Sequence, residues 1–137
     1  MPMQHDSNIL YVEDDPLSRM VMQLLLTRGL GYKNVTIFET SENFINRVEA
    51  LSPKPTLIFL DIHMLPLTGF EMLKLLRAHK DYQKTLVVAL TASVMNEEVE
   101  QLRHAGFDGV IAKPIDQETF PATLERILNG ELIWNVL

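Results

Sequence analysis

Five short runs along the chain are apolar at nearly every position: NILYV (8–12), VTIF (35–38), TLIFL (56–60), TLVVAL (85–90) and GVIA (109–112). They are rich in β-branched and aliphatic residues. Several lack the alternation of a strand with one wet face, so they predict strands covered on both sides, as in a parallel sheet. Between them the period changes. Leu17, Met20, Val21, Leu24 and Leu25 recur at three and four residues, with Asp15 placed to N-cap a helix, Pro16 at its first position and Gly29 near its end. Ser41 can cap a second helix with an inner face of Phe44, Ile45, Val48 and Leu51, stopped by the SPKP turn at 52–55. Phe70, Leu73 and Leu76 mark a third helix. Val99 and Leu102 mark a shorter fourth, with Asn96 as cap and Gly106 as terminator. Phe120, Leu124, Ile127 and Leu128 mark the last, before Gly130. Pro121 would remove a hydrogen bond in mid-helix, so this helix is expected to begin near Thr119, which leaves the proline in the tolerant first turn. The apolar stretch ELIWNVL, 131–137, is expected either to pack on the domain or to serve a contact.

Strand and helix thus alternate five times, and right-handed crossovers turn that order into an α/β fold: a doubly wound five-stranded parallel sheet with helices on both faces. Ligands of such sheets sit beyond the carboxyl ends of the strands, near the point where strand order reverses. The polar residues at those ends are distinctive. Glu13, Asp14 and Asp15 follow the first strand, Asp61 the third, Thr91 the fourth, and Lys113 with Pro114 the fifth. With the second strand at an edge, in the order 2-1-3-4-5, the four contributing strands are neighbours and these groups share one pocket.

Bulk composition narrows the picture. A chain of 137 residues suits one domain, read as an extension over 1–7, a domain over 8–129 and a tail over 130–137. No apolar run approaches the ~18 residues of a membrane span, and MPMQHDSN at the start lacks the pattern of a secretory signal, so the cytoplasm is the expected compartment and membrane insertion is not expected. The absence of cysteine excludes disulfides and thiolate metal sites. Eighteen acids against twelve bases, a net charge of −6, argue against direct nucleic-acid binding. The histidines at 5, 63, 79 and 104 lack close ligand spacing and read as surface residues, the seven methionines as core filler, and Gly69 as a turn residue.

The strand-end set has a chemistry of its own. Asp14 and Asp61, supported by Glu13, offer the hard oxygens that suit a partly hydrated Mg²⁺, and without a cation they repel one another. A carboxylate can accept a phosphoryl group when its own charge and the incoming charge are screened, here by Lys113 and the cation. Thr91 can hydrogen-bond a phosphoryl oxygen, and small Ala92 beside it leaves room. Phosphorylation of Asp61 would add about 1.5 to 2 negative charges and make the site a switch.

ILYVEDDP (9–16), LIFLDIHM (57–64) with Gly69 following, LTAS (90–93) and GVIAKPI (109–115) together resemble a response-regulator receiver domain of two-component signalling, of the stand-alone single-domain type. The resemblance runs from residue 8 to about 129, with 30 residues from Asp61 to Thr91 and 22 from Thr91 to Lys113. It implies the flavodoxin-like strand order 2-1-3-4-5. It implies Asp61 as phosphoacceptor, and Mg²⁺ held by Glu13, Asp14, Asp61 and the backbone carbonyl of His63. Thr91 becomes the switch hydroxyl and Lys113 the phosphoryl-sensing base, followed by a cis Lys113–Pro114 bond. The implied partners are a histidine kinase or phosphotransfer protein and a downstream protein bound through the face of helix 4, strand 5 and helix 5. Asp15 remains a helix cap. Side chains at His63 and Ser93 lie where family members tune hydrolysis.

Two positions depart from the family pattern. The proline usual four residues after the phosphoacceptor is Leu65 here, with Pro66 next, so another path is expected for that loop. Val110 stands where an aromatic residue often swings with the threonine, so readout through the strand 4–helix 4 loop and helix 4 is expected to outweigh readout through strand 5.

The same residues bear on other functions. A binding module indifferent to phosphorylation would not need the acid, threonine and lysine set. A receiver excised from a hybrid kinase or a larger regulator would carry it unchanged. An aspartyl phosphatase of the haloacid-dehalogenase type has a second acid two residues after its nucleophile, where this chain has His63. A flavodoxin-like cofactor protein would need donors, not carboxylates, at the phosphate.

Overall fold

A computed structural model of the chain describes residues 6–134. The strands are β1 (Asn8–Val12), β2 (Asn34–Phe38), β3 (Leu57–Asp61), β4 (Leu86–Thr91) and β5 (Gly109–Ala112), all parallel, in the order β2-β1-β3-β4-β5. The helices are α1 (Pro16–Leu24), α2 (Phe44–Glu49), α3 (Gly69–Ala78), α4 (Asn96–Ala105) and α5 (Phe120–Leu128). This is the doubly wound sheet that the alternation of periods predicts. Among the described residues no helix is long and apolar enough to cross a membrane.

Successive strand side chains point to opposite faces, and here each face is roofed by helices. Leu10, Val12, Ile58, Leu60, Val87 and Ala89 meet Phe44 and Val48 of α2, Met72, Leu73 and Leu76 of α3, and Val99 and Leu102 of α4. Ile9, Tyr11, Leu57, Phe59, Val88 and Leu90 meet Met22 of α1 and Phe120, Leu124 and Ile127 of α5. The continuous apolar runs are therefore two interleaved period-2 patterns, each with its own core.

Several local expectations hold. The Asp15 carboxylate accepts from the Ser18 N–H at 2.8 Å and caps α1, with Pro16 at its first position. Thr119 precedes α5, and Pro121 lies in its first turn. Gly106 ends α4 with φ +107°, a left-handed conformation in which a side chain would be strained.

Others are corrected. On α1 the buried residue is Met22, followed by Leu26 in the π-helical turn (Leu25–Gly29) that continues the helix, whereas Leu17, Met20 and Leu24 are exposed. The expected apolar face thus lies to one side of the buried stripe and approaches it only at the half-buried Val21 and Leu25. Ser41 does not cap α2, which starts at Phe44 behind Asn43 in a left-handed conformation; the Ser41 hydroxyl is buried and accepts from the Leu67 N–H at 2.8 Å. Asn96 is the first residue of α4 and Met95 precedes it as the cap. His79 is no free surface residue, since its Nε2 lies 2.9 Å from Glu49 and its Nδ1 accepts from the Asp81 N–H at 3.1 Å. His5 lies outside the described residues, as do 1–4 and 135–137 of the expected extension and tail.

The described part of the tail packs on the domain. Ile133 forms a parallel bridge with Gly109 at the outer edge of β5, and the Val110 N–H donates to the Ile133 carbonyl at 2.8 Å.

Candidate functional site

Strand order reverses at β1, which has β2 on one side and β3 on the other, and the site is built there and at β4 and β5 beside it. The Glu13 N–H donates to the Phe38 carbonyl at 3.0 Å, prolonging the line of β1 by one residue. This holds the Glu13 side chain inward, fully buried, on the same face as Tyr11 two residues earlier. Asp14 then faces outward and is exposed, and Asp15 turns to cap α1. One run of three carboxylates therefore has three different environments.

Asp61 ends β3 with 4% of its surface exposed. Its Oδ1 accepts from the His63 N–H at 3.2 Å, which folds the exposed His63 back over the strand end. Carboxylate oxygens of Glu13, Asp14 and Asp61 lie within 4.8 Å of one another. Lys113 reaches in from the end of β5, its Nζ 2.9 Å from Glu13 Oε1 and 3.6 Å from Asp61 Oδ2. The Lys113–Pro114 bond is cis, as expected, and the Lys113 N–H donates to the Thr91 carbonyl at 2.9 Å. Thr91 ends β4, buried; its hydroxyl accepts from the Ser93 N–H at 3.0 Å and lies 3.3 Å from the Ser93 carbonyl.

Burial pushes the Glu13 carboxyl upward, helped by its neighbour Asp61 and opposed by the hydrogen bonds from Lys113 and Tyr11. Burial acts against the Lys113 ammonium, but hydrogen bonding and attraction from Glu13 and Asp61 outweigh it and hold its pKa above the ordinary lysine value. Two acids meet one ammonium and Asp14 lies beside them, a set with charge and hard oxygens left for a small divalent cation. The donor chemistry fits such an ion.

Three residues escape a reading of strand-end charges. Tyr11 packs edge-on against Phe59, with ring centroids 6.4 Å apart, and its hydroxyl donates to Glu13 Oε1 at 2.9 Å. Burial first, then the Glu13 charge, push its phenol pKa upward, so it stays a donor. A phenol inside an aliphatic strand, two residues before an acid, was the visible signal. Ser41 pins the loop after β3 through Leu67; that loop also carries a cis Leu65–Pro66 bond and an exposed Leu65, the path taken with the proline one place later. Gly69 is not a turn residue. It opens α3, where a Cβ would stand 2.7 Å from Ile62 Cδ1, 2.9 Å from Ile62 Cα and 3.1 Å from the Asp61 carbonyl. Only a missing side chain lets α3 start this close to the strand end that bears Asp61. Val110 is buried, and its N–H is taken by Ile133.

The pattern of the response regulator receiver domain matches residues 9–125. The nitrate/nitrite response regulator protein homolog of Haemophilus influenzae is 30% identical over 131 residues, 96% of this chain but 61% of that protein, so the chain spans about three fifths of this relative's length. The polar-differentiation response regulator DivK of Brucella anthropi is 27% identical over 122 residues, 88% of this chain and 95% of DivK. Among solved structures, the receiver domain of the sensor histidine kinase PA1611 of Pseudomonas aeruginosa, determined with a magnesium ion coordinated in its active-site cleft, superposes with a TM-score of 0.77 at 27% identity, covering 90% of this chain and 98% of that one. Fold, strand-end chemistry and these likenesses all converge, and the chain belongs to the response regulator receiver domain family of two-component signalling.

Proposed function

We propose that this chain is a phosphoacceptor switch: it takes a phosphoryl group from a histidine kinase or phosphotransfer protein onto Asp61 and thereby changes its affinity for a protein partner. It is a signalling domain and acts chemically only on itself, in the cytoplasm. The observation that carries this reading is the Lys113 ammonium lying against both Glu13 and Asp61, beside three carboxylates whose oxygens lie within 4.8 Å of one another.

In the proposed reaction an Asp61 oxygen attacks phosphorus in line with the bond to the donor's imidazole nitrogen. The new P–O bond forms as the P–N bond breaks, and the nitrogen keeps the electron pair. Glu13, Asp14, Asp61 and the His63 carbonyl are the residues that would hold Mg²⁺, which when bound supplies charge neutralisation at the phosphoryl oxygens. Lys113 moves part of its attraction from Glu13 to the phosphoryl group, while Tyr11 and the Asp15 N–H, 3.2 Å from Glu13 Oε2, remain to satisfy that buried carboxylate. Thr91 leaves Ser93 and donates its hydroxyl to a phosphoryl oxygen. His63 and Ser93, on either side, are placed to affect the lifetime of the acyl phosphate.

Mass spectrometry after exposure to acetyl phosphate with Mg²⁺ tests the reading. One phosphate is expected on the parent and none on Asp61→Asn; an unlabelled parent, or label on the variant, would refute it.

A further inference from the structure

The tail beyond α5 occupies the face through which the sequence resemblance implies output. Ile133 is buried against the outer edge of β5, its carbonyl accepting from the Val110 N–H at 2.8 Å. Gly109 makes the seat possible: a Cβ there would stand 3.0 Å from the Ile133 carbonyl oxygen and 3.3 Å from its nitrogen. The next residue, Trp134, lies under the Arg103 guanidinium of α4, 5.1 Å from the ring centroid, and packs on the core cluster that contains Val99, Leu102 and Val110. An extended segment is thus held by one strand hydrogen bond, one buried aliphatic side chain and one cation–π contact. Beside it, toward the start of α5, a groove of about 580 Å³ remains, lined by Ile111, Ala112, Ile115, Phe120, Leu132 and Trp134.

A line of contacts joins this seat to Thr91. The Thr91 hydroxyl is bonded to the Ser93 backbone, the Ser93 hydroxyl donates to Glu98 in the first turn of α4, and Arg103 lies on the last turn of the same helix. Thr91 also pairs with Ala112 of β5. Once Thr91 turns to a phosphoryl group, Ser93 loses that partner, and α4 is free to shift relative to β5. The tail is clamped to both, and the Glu131 N–H donating to the Arg126 carbonyl at 3.1 Å ties its start to α5, so it cannot follow that shift as a separate segment of the same chemistry can.

We propose that Leu132–Trp134 is a resident strand on the β5 edge, released when Asp61 is phosphorylated, and that the downstream partner binds by replacing it. The partner it fits is an extended, apolar protein segment that runs parallel to β5, with an aliphatic residue in the place of Ile133 and an aromatic ring under Arg103. The tail itself supplies the template for this mode of strand addition. The coupling rests on the reading of Asp61 as phosphoacceptor; the seat does not.

A fluorescein-labelled peptide of residues 130–137, GELIWNVL, added to the full chain, tests both. A tethered segment competes at a high effective concentration, so the peptide is expected to bind Ile133→Asp at least about tenfold more tightly than the parent. Trp134→Ala, which keeps the backbone bridge, is expected to show the same direction and covers the case in which the aspartate variant misfolds. Equal affinity for parent and variants, or no binding to any, would overturn the seat. Beryllofluoride with Mg²⁺ should then raise the parent's affinity for the peptide about tenfold, and shift the emission of Trp134, the one tryptophan of the chain, to longer wavelength. Asp61→Asn should show neither change. A parent that gains phosphate from acetyl phosphate but shows no change in peptide affinity or emission would refute the coupling and leave the phosphoacceptor reading standing. A parent that gains no phosphate would bring down that reading and the coupling with it, with the seat still judged by the two tail variants.

Discussion

The two ends of the sheet treat charge in opposite ways. At the amino ends of the strands three carboxylates each have a basic side chain beside them: Asp81 lies 3.0 Å from Lys54, Glu49 2.9 Å from His79, and Asp108 3.0 Å from Arg77. Arg77 also donates to the Tyr82 and Thr85 carbonyls at 2.9 and 2.8 Å, and Asp108 accepts from the Val87 N–H at 2.9 Å, so this pair stitches together the loops that enter β4 and β5. At the carboxyl ends the buried Glu13 and Asp61 share one lysine, and the exposed Asp14 adds a third carboxylate whose oxygen lies within 4.8 Å of theirs. A paired charge is satisfied by the protein that carries it. An excess of buried acid is satisfied only by something that arrives, and it costs stability until then. That contrast separates a structural network from a site waiting for ligands.

Mg²⁺ should sharpen the contrast most. At about a hundred times its dissociation constant it should stabilise the parent by ~3 kcal/mol, visible as a higher melting temperature. Asp61→Asn should gain much less from the ion and, relieved of repulsion, should melt above the metal-free parent. Equal gains in both would erase the distinction between the two ends. Next in size is Arg77→Ala, which should lose ~2 kcal/mol in urea denaturation because it leaves two carbonyls and the Asp108 carboxylate short of a donor. Labelling of Asp61 by acetyl phosphate should be unchanged in that variant, and a loss of labelling would show that the two ends are coupled.

Smaller effects probe the site's own scaffold. Tyr11→Phe keeps the ring against Phe59 and removes only the donor to Glu13, and should cost ~1 kcal/mol. In a Glu13→Gln background the loss should shrink, because the charged acceptor has gone; additive losses in the double variant would show that the hydroxyl acts elsewhere. The smallest effect belongs to Asp15, outside the cluster. Its hydrogen bonds with the Ser18 hydroxyl and N–H hold its pKa below the ordinary 3.8. A carboxylate depressed in the folded state stabilises above its unfolded pKa and loses that contribution as pH falls through the folded value. Asp15→Ala should therefore be less stable than the parent at neutral pH, and the gap in urea midpoints should close in strong acid.

How much of this was legible in advance depended on the range of the interaction. Strand runs, helix periods, the Asp15 cap and the place of Pro121 follow from backbone sterics and nearby hydrogen bonds, which a short window of residues contains. The Tyr11–Glu13 contact was equally local, since alternate strand residues share a face, yet it passes unnoticed when only charged strand ends are weighed. The buried side of α1 was less accessible, because an apolar residue there faces either the sheet or solvent with the same periodicity.

The amino-acid order alone determined which groups exist and where each element carries them: acids after the first and third strands, a hydroxyl after the fourth, an ammonium after the fifth. Only the tertiary structure decided that Ser41 holds Leu67 across 26 positions, that Gly69 yields space to Ile62, and that Ile133 closes the edge of β5 over Gly109. Local preference is written into each residue's own backbone and side chain. A contact between distant segments exists only where packing brings two surfaces together, and neither residue specifies its partner by itself.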